Sequence, residues 1–271
     1  MATYFFEFDN RQMGYQKTGT GPAVILLHGF GEDHSIFNST VTALEKNYTV
    51  YTPDLPGTGM SSINSNEYPG NFSIEYLADS IAALTHHEKI NKCTLLGHSM
   101  GGYTTMAFAK KYPAHLKAFG LLHSTALPDT PLKIENRLRG ISFIEKMGAA
   151  SFLETTIPNL FGSHTKETNP NVVADFLKAL PHFSNEALIA YYHAMMARLN
   201  LTDVLASTNV PVLFVLGDQD IAVTLEDTVP QTKMPNTTYL YVLENCGHMG
   251  MLEYPAIFNN AVLDFLDKVN A

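Results

Sequence analysis

Tryptophan is absent from the 271 residues, cysteine occurs only twice, and cations are outnumbered, with 17 Lys and Arg against 26 Asp and Glu. Two cysteines, Cys93 and Cys246, are too few for a disulfide scaffold and have no zinc-type partner spacing, so a reducing compartment is expected. A formal charge of −9 gives no general attraction to phosphate backbones or anionic bilayers, so neither nucleic acid nor membrane is expected as a partner. No apolar run approaches the roughly 20 residues of a membrane span. The opening residues, Met1 to Glu7, show no basic segment, apolar stretch or cleavage site of a secretory leader, which makes a cytoplasmic location the expectation. What is present is a globular composition, 45% hydrophobic and 16% charged, long enough for one large α/β domain or two small ones.

Short aliphatic runs recur along the chain. Ala23 to Leu27 stops at His28-Gly29, Tyr48 to Tyr51 at Pro53, Cys93 to Leu96 at Gly97, Ala118 to Leu122 at His123, and Pro211 to Leu216 at Gly217; Tyr239 to Leu243 is the last. Such runs predict strands buried on both faces. Helix-like stretches fall between them at about 34–46, 73–88, 100–111 and 252–269, an alternation that predicts a mostly parallel sheet covered by helices. Ligands of such sheets bind at the carboxyl ends of the strands. From about Thr125 to Ser207 no strand is predicted, only helical patterning such as Leu188, Tyr191, Tyr192, Met195, Met196 and Leu199.

The strand ends carry the chemistry. Gly97-His98-Ser99-Met100-Gly101 fits G-x-S-x-G, a tight strand-to-helix turn that lifts a serine hydroxyl above the sheet, with glycines where side chains would not fit. A serine hydroxyl needs a base, and His248, in a glycine-containing loop after the last strand, is the best placed of 11 histidines. His34, His86 and His87 are expected to face solvent, and His28 and His98 to pack and hydrogen-bond. Asp218 and Asp220, directly after the Pro211 to Leu216 strand, are the candidates for the carboxylate that orients the base. The backbone amides of Met100 and Phe30 are the expected donors to an oxyanion. A metal site fails on spacing, and no third glycine completes a dinucleotide fingerprint, so no cofactor and no metal are expected.

In the order of these segments, including Asp54-Leu55-Pro56-Gly57-Thr58-Gly59-Met60-Ser61, the chain resembles the α/β-hydrolase superfamily. The resemblance implies an α/β-hydrolase fold: an eight-stranded, mostly parallel sheet flanked by helices, with a helical cap inserted after the sixth strand. Residues 1–124 and 208–271 would then form the catalytic core and 125–207 the cap. It selects Asp220 over Asp218, giving a Ser99, Asp220, His248 triad, and makes Asp54 to Ser61 a structural turn. The elbow serine argues against dehalogenases and epoxide hydrolases, which use aspartate there. The missing tryptophan argues against haloperoxidase-like esterases and aromatic ring-cleavage-product hydrolases. The implied activity is hydrolysis of a small, mostly apolar carboxylic ester, thioester or lactone through an acyl-enzyme; an acyltransferase, a C–C bond hydrolase and a non-catalytic sensor are the alternatives. The partner would be that small acyl substrate, and the protein a monomer or homodimer. Phe143, Phe152, Leu160, Phe161, Phe183, Tyr191, Tyr192, Met195 and Met196 could line an apolar pocket from the cap, and Phe30, Met100 and Met249 adjoin the catalytic groups.

Overall fold

The structure is a computed structural model that describes residues 2–63, 68 and 70–271. Its strands are β1 (Ala2–Phe8), β2 (Arg11–Thr18), β3 (Ala23–Leu27), β4 (Thr49–Pro53), β5 (Cys93–His98), β6 (Leu116–Leu122), β7 (Val212–Gly217) and β8 (Thr238–Leu243). They form one eight-stranded sheet in the order β1-β2-β4-β3-β5-β6-β7-β8. The strands from β4 to β8 in that order run parallel, while β1 pairs antiparallel with β2 and β2 with β4. The six strands predicted from apolar runs are all present, within a few residues at their ends. β1 and β2 were not foreseen from the residues, because an antiparallel edge exposes one side and breaks the apolar run; β1 buries only Phe6 among its seven residues.

The pleat sorts the core into two layers. Ile25 and Leu27 of β3 join Leu95, Phe119 and Phe214 against Leu77 and Ile81 of α2 (Ile74–His87, after α1) and Met106 and Phe108 of α3 (Met100–Lys111). Val24 and Leu26 join Leu96, Leu213 and Val215 on the other face, against Val41 and Leu44 of α1 (Asn38–Leu44) and, from the C-terminal helix (Pro255–Asn270), Phe258 and Phe265. The predicted helix at 34–46 begins as a 3-10 turn, His34–Phe37, and the one at 252–269 is split before Pro255, whose ring cannot continue a preceding helix.

Between β6 and β7 every residue is described, and none is in a strand. Six α-helices and a 3-10 turn (Ile157–Leu160) fill the interval, the α-helices being α4 (Pro131–Met147), α5 (Ala149–Thr156), α6 (Ser163–Thr168), α7 (Pro170–Ala179), α8 (Asn185–Met196) and α9 (Thr202–Ser207). Tyr191, Ala194 and Met195 of α8 enter the first core layer, while Leu188 of the same helix, Phe152 of α5 and Ile144 of α4 enter the second.

Candidate active site

β5 ends at His98, α3 begins at Met100, and Ser99 between them has φ +48° and ψ −113°. Such a backbone is costly for a non-glycine residue and persists only where the surroundings enforce it. Here the surroundings are mostly backbone, with the Ser124 side chain. A Cβ on Gly97 would overlap the Gly101 carbonyl, one on Gly101 the Leu27 carbonyl, and one on Gly102 the Ser124 hydroxyl. Neighbouring strands hold the turn: Ser99 N–H donates to Leu122 O at 3.0 Å, and Ser124 Oγ donates to Ser99 O at 2.7 Å.

At the ends of β7 and β8, His248 Nδ1 lies 2.7 Å from Asp220 Oδ2. Asp220 is buried and also accepts from the amides of Ala222 (2.8 Å) and Val223 (2.9 Å). Burial raises its pKa, but the two neighbouring imidazoles and their hydrogen bonds outweigh this and hold the carboxyl well below the carboxylate range. Asp218 is exposed and accepts instead from Cys246 N–H at 3.1 Å.

The second imidazole belongs to His123, which sequence reasoning had passed over. It is buried at the end of β6, has φ +49°, and places Nδ1 3.3 Å from the same Asp220 oxygen that holds His248. Burial lowers its pKa more than Asp220 raises it, and Nε2 has no partner among the described residues. The neutral ring donates from Nδ1, so Asp220 is held by two histidines. His123, Asp220 and His248 each offer a ligand atom within 4.8 Å of the others, as do Asp33, His34 and Asp54. A cation at the first group would replace the very bond that orients His248.

The loop after β3 is tied to the elbow through a buried ion pair. Glu32 Oε2 accepts from Gly29 N–H at 2.6 Å and lies 3.0 Å from His98 Nδ1, while His98 Nε2 lies 3.0 Å from the His248 carbonyl. Burial opposes charge on His98, but the Glu32 carboxylate outweighs it and raises the pKa; reciprocally, Glu32 is lowered despite its burial. With an acceptor at each ring nitrogen, His98 is an imidazolium donating to both. His28 instead accepts at Nε2 from Leu55 N–H at 3.0 Å. His34, expected at the surface, is pulled in by Asp54, whose Oδ1 lies 2.8 Å from its Nδ1; His86 and His87 are exposed.

Ser99 and His248 line one cavity of about 200 Å³, together with Phe30, Glu32, Arg137, Tyr192 and Met195. They are not hydrogen-bonded to one another. The amides of Phe30 and Met100 donate to no group among the described residues. Arg137, Thr156, Tyr192 and Ala222 also line an outer cavity of about 510 Å³ that Phe143 borders. Several of the expected pocket residues lie elsewhere. Tyr191 is fully buried with its hydroxyl donating to Pro56 O at 2.7 Å, Phe161, Phe183 and Met249 belong to the second core layer, and Met100 belongs to the first. Helical spacing identified an apolar face without saying what that face meets. Tyr192 stacks on Phe30 at 4.5 Å and 5°. Arg137 had no sequence signal, since one arginine on a polar helix face looks like any other.

A family model described as the alpha/beta hydrolase fold matches residues 22–166, just over half of the chain. The chain belongs to the alpha/beta hydrolase family. A solved thermophilic esterase from Thermogutta terrifontis is 30% identical with a TM-score of 0.88, over 96% of this chain and 95% of that one. A pimeloyl-[acyl-carrier protein] methyl ester esterase from Aeromonas hydrophila is 27% identical over 93% of this chain and 98% of its own. A 2-hydroxy-6-oxo-6-(2'-aminophenyl)hexa-2,4-dienoic acid hydrolase from Metapseudomonas resinovorans is 25% identical, over 94% and 87% respectively. These relatives are hydrolases. No helix among the described residues is long and apolar enough to cross a membrane.

Proposed function

We propose that the protein hydrolyses a small carboxylic ester, thioester or lactone with a largely apolar body, through an acyl-enzyme on Ser99. The observation that carries this is a serine held at φ +48° in the same cavity as a histidine whose Nδ1 is fixed at 2.7 Å by a buried carboxylate. Asp220 keeps the Nδ1 proton in place, so Nε2 of His248 is the free base. His248 would take the Ser99 proton as Oγ attacks the acyl carbon, and the amides of Phe30 and Met100 would bind the oxyanion. His248 then returns the proton to the departing alcohol or thiol. Water, deprotonated by His248, releases the acid. Helices α4 to α9 would act as the lid that shapes the acyl pocket.

The test is turnover of p-nitrophenyl esters and lactones of graded chain length, with fluorophosphonate labelling of Ser99. Ser99→Ala should lose label and lower kcat by roughly 10⁴-fold or more. Asp220→Asn should lower it by roughly 10³–10⁴-fold, and Asp218→Asn by little. Wild-type turnover in Ser99→Ala, or the reverse order for the two aspartates, would overturn the assignment.

A further inference from the structure

Beside Ser99 lies a guanidinium with half of its hydrogen-bonding edge unused. Asp129, buried at the start of the helical interval, faces two arginines. Arg198 is held away from that cavity: Nη1 reaches Asp129 Oδ1 at 2.7 Å and Met195 O at 2.9 Å, Nε reaches Leu127 O at 3.1 Å, and the group lies 4.0 Å above the Tyr103 ring. Arg137 of α4 meets the same carboxylate side-on, Nε to Oδ2 at 2.5 Å and Nη2 to Oδ1 at 3.2 Å. Its Nη1, and the second hydrogen of Nη2, have no acceptor among the described residues. Two cations share one anion, and of the two Arg137 is the one that lines the Ser99 cavity.

In that cavity the Tyr192 ring faces the guanidinium, 5.3 Å from its carbon, and no free carboxylate among the described residues pairs with it. Glu32 is the other charged residue lining the cavity apart from the catalytic histidine, and its charge is taken by His98 and Gly29 N–H. The outer cavity, which shares four lining residues with the first, is lined by Lys133, Arg137 and Arg139 and by no carboxylate. Lys133 and Arg139 each make one ion pair, with Asp227 (3.5 Å) and Glu135 (2.5 Å), and Arg137 is the one of the three that also lines the Ser99 cavity. This is a positive site in a chain of net charge −9, whose overall field would repel an anion. A guanidinium's end-on pair of N–H groups matches the two oxygens of a carboxylate.

We infer that Arg137 binds a carboxylate carried by the acyl substrate, so that the protein acts on monoesters of dicarboxylic acids in preference to neutral esters. The apolar cavity wall takes the chain between the scissile carbonyl and the anionic end, with the Phe30 and Tyr192 rings along it. The inference rests on the hydrolase reading for its chemistry, and the binding site itself can be tested apart from it.

Mono-p-nitrophenyl succinate, glutarate and adipate, each beside its neutral methyl diester, would be compared in wild-type protein and in Arg137→Gln and Arg137→Lys. Wild type should favour the best charged ester over its neutral partner by at least tenfold in kcat/KM, with the preference shrinking as salt is added. Arg137→Gln should bring the charged-to-neutral ratio of kcat/KM to near one, mainly through the KM of the charged ester, and Arg137→Lys should fall between. A charged-to-neutral ratio that is near one, or that survives Arg137→Gln, overturns the inference and leaves the hydrolase reading standing. Calorimetric titration of Ser99→Ala with monomethyl and dimethyl glutarate needs no turnover and covers the case in which Arg137→Gln fails to fold. Selective binding of the monoanion with no ester turned over by wild type would sustain the anion site and sink the hydrolase reading; equal or absent binding of both would sink the anion site.

Discussion

Left-handed backbone at Ser99 and at His123 costs about 1–3 kcal/mol each, and both residues sit at the carboxyl ends of adjacent strands, where β6 and β7 supply the carbonyls that fix their amides. The strain at Ser99 was legible because glycine marks it on either side. That at His123 was not, since a histidine in a left-handed turn leaves no flanking signature. The same contrast separates Asp220, readable by its position after a strand, from the pairing of His98 with Glu32, which joins residues 66 positions apart. That pair makes stability depend on pH. The raised pKa of His98 means its contribution is complete below its ordinary 6.5 and is lost as pH rises through the folded value; the lowered pKa of Glu32 means its contribution is complete above 4.5 and is lost in acid. Glu32→Gln should therefore cost on the order of 3 kcal/mol near pH 5.5, with the gap from wild type narrowing as pH rises. Urea titrations at several pH values would measure it, and a pH-independent gap would refute the charged pair.

Elements were readable where the hydrophobic pattern is unbroken. β3, β5 and β7 are buried on both faces and appear as solid aliphatic runs, and α3 was read with its observed ends because a glycine turn precedes it and Pro113 follows. β1 and β2 lack that pattern, and the helices of the interval could be recognised as helices but not oriented. Orientation depends on contacts such as Phe30 with Tyr192, which no single segment encodes. The start of α4 is set locally: Thr130 Oγ accepts from Lys133 N–H at 3.3 Å, and Pro131 occupies the first turn. Thr130→Ala should lower stability by roughly 1 kcal/mol. Because α4 carries Arg137, the same variant should raise KM for a charged ester more than for a neutral one; equal changes would show that the cap of this helix does not govern the position of the arginine.

At the scale of the whole molecule, the inserted helices share both core layers with the sheet, so they have no separate core to retain when the sheet unfolds. Urea unfolding should give one transition, with coincident midpoints from far-ultraviolet dichroism and from tyrosine emission, which the absence of tryptophan leaves unmasked. A second midpoint would show the interval to be an independent unit. The Phe30 stack has a further consequence for anyone who would re-engineer this protein. The ring that meets the helical layer and the amide proposed to bind the oxyanion belong to one residue and branch from the same Cα. Specificity and rate cannot be tuned separately at position 30: a smaller side chain that opens room for a bulkier acyl group also loosens the backbone on which the charge of the intermediate would rest.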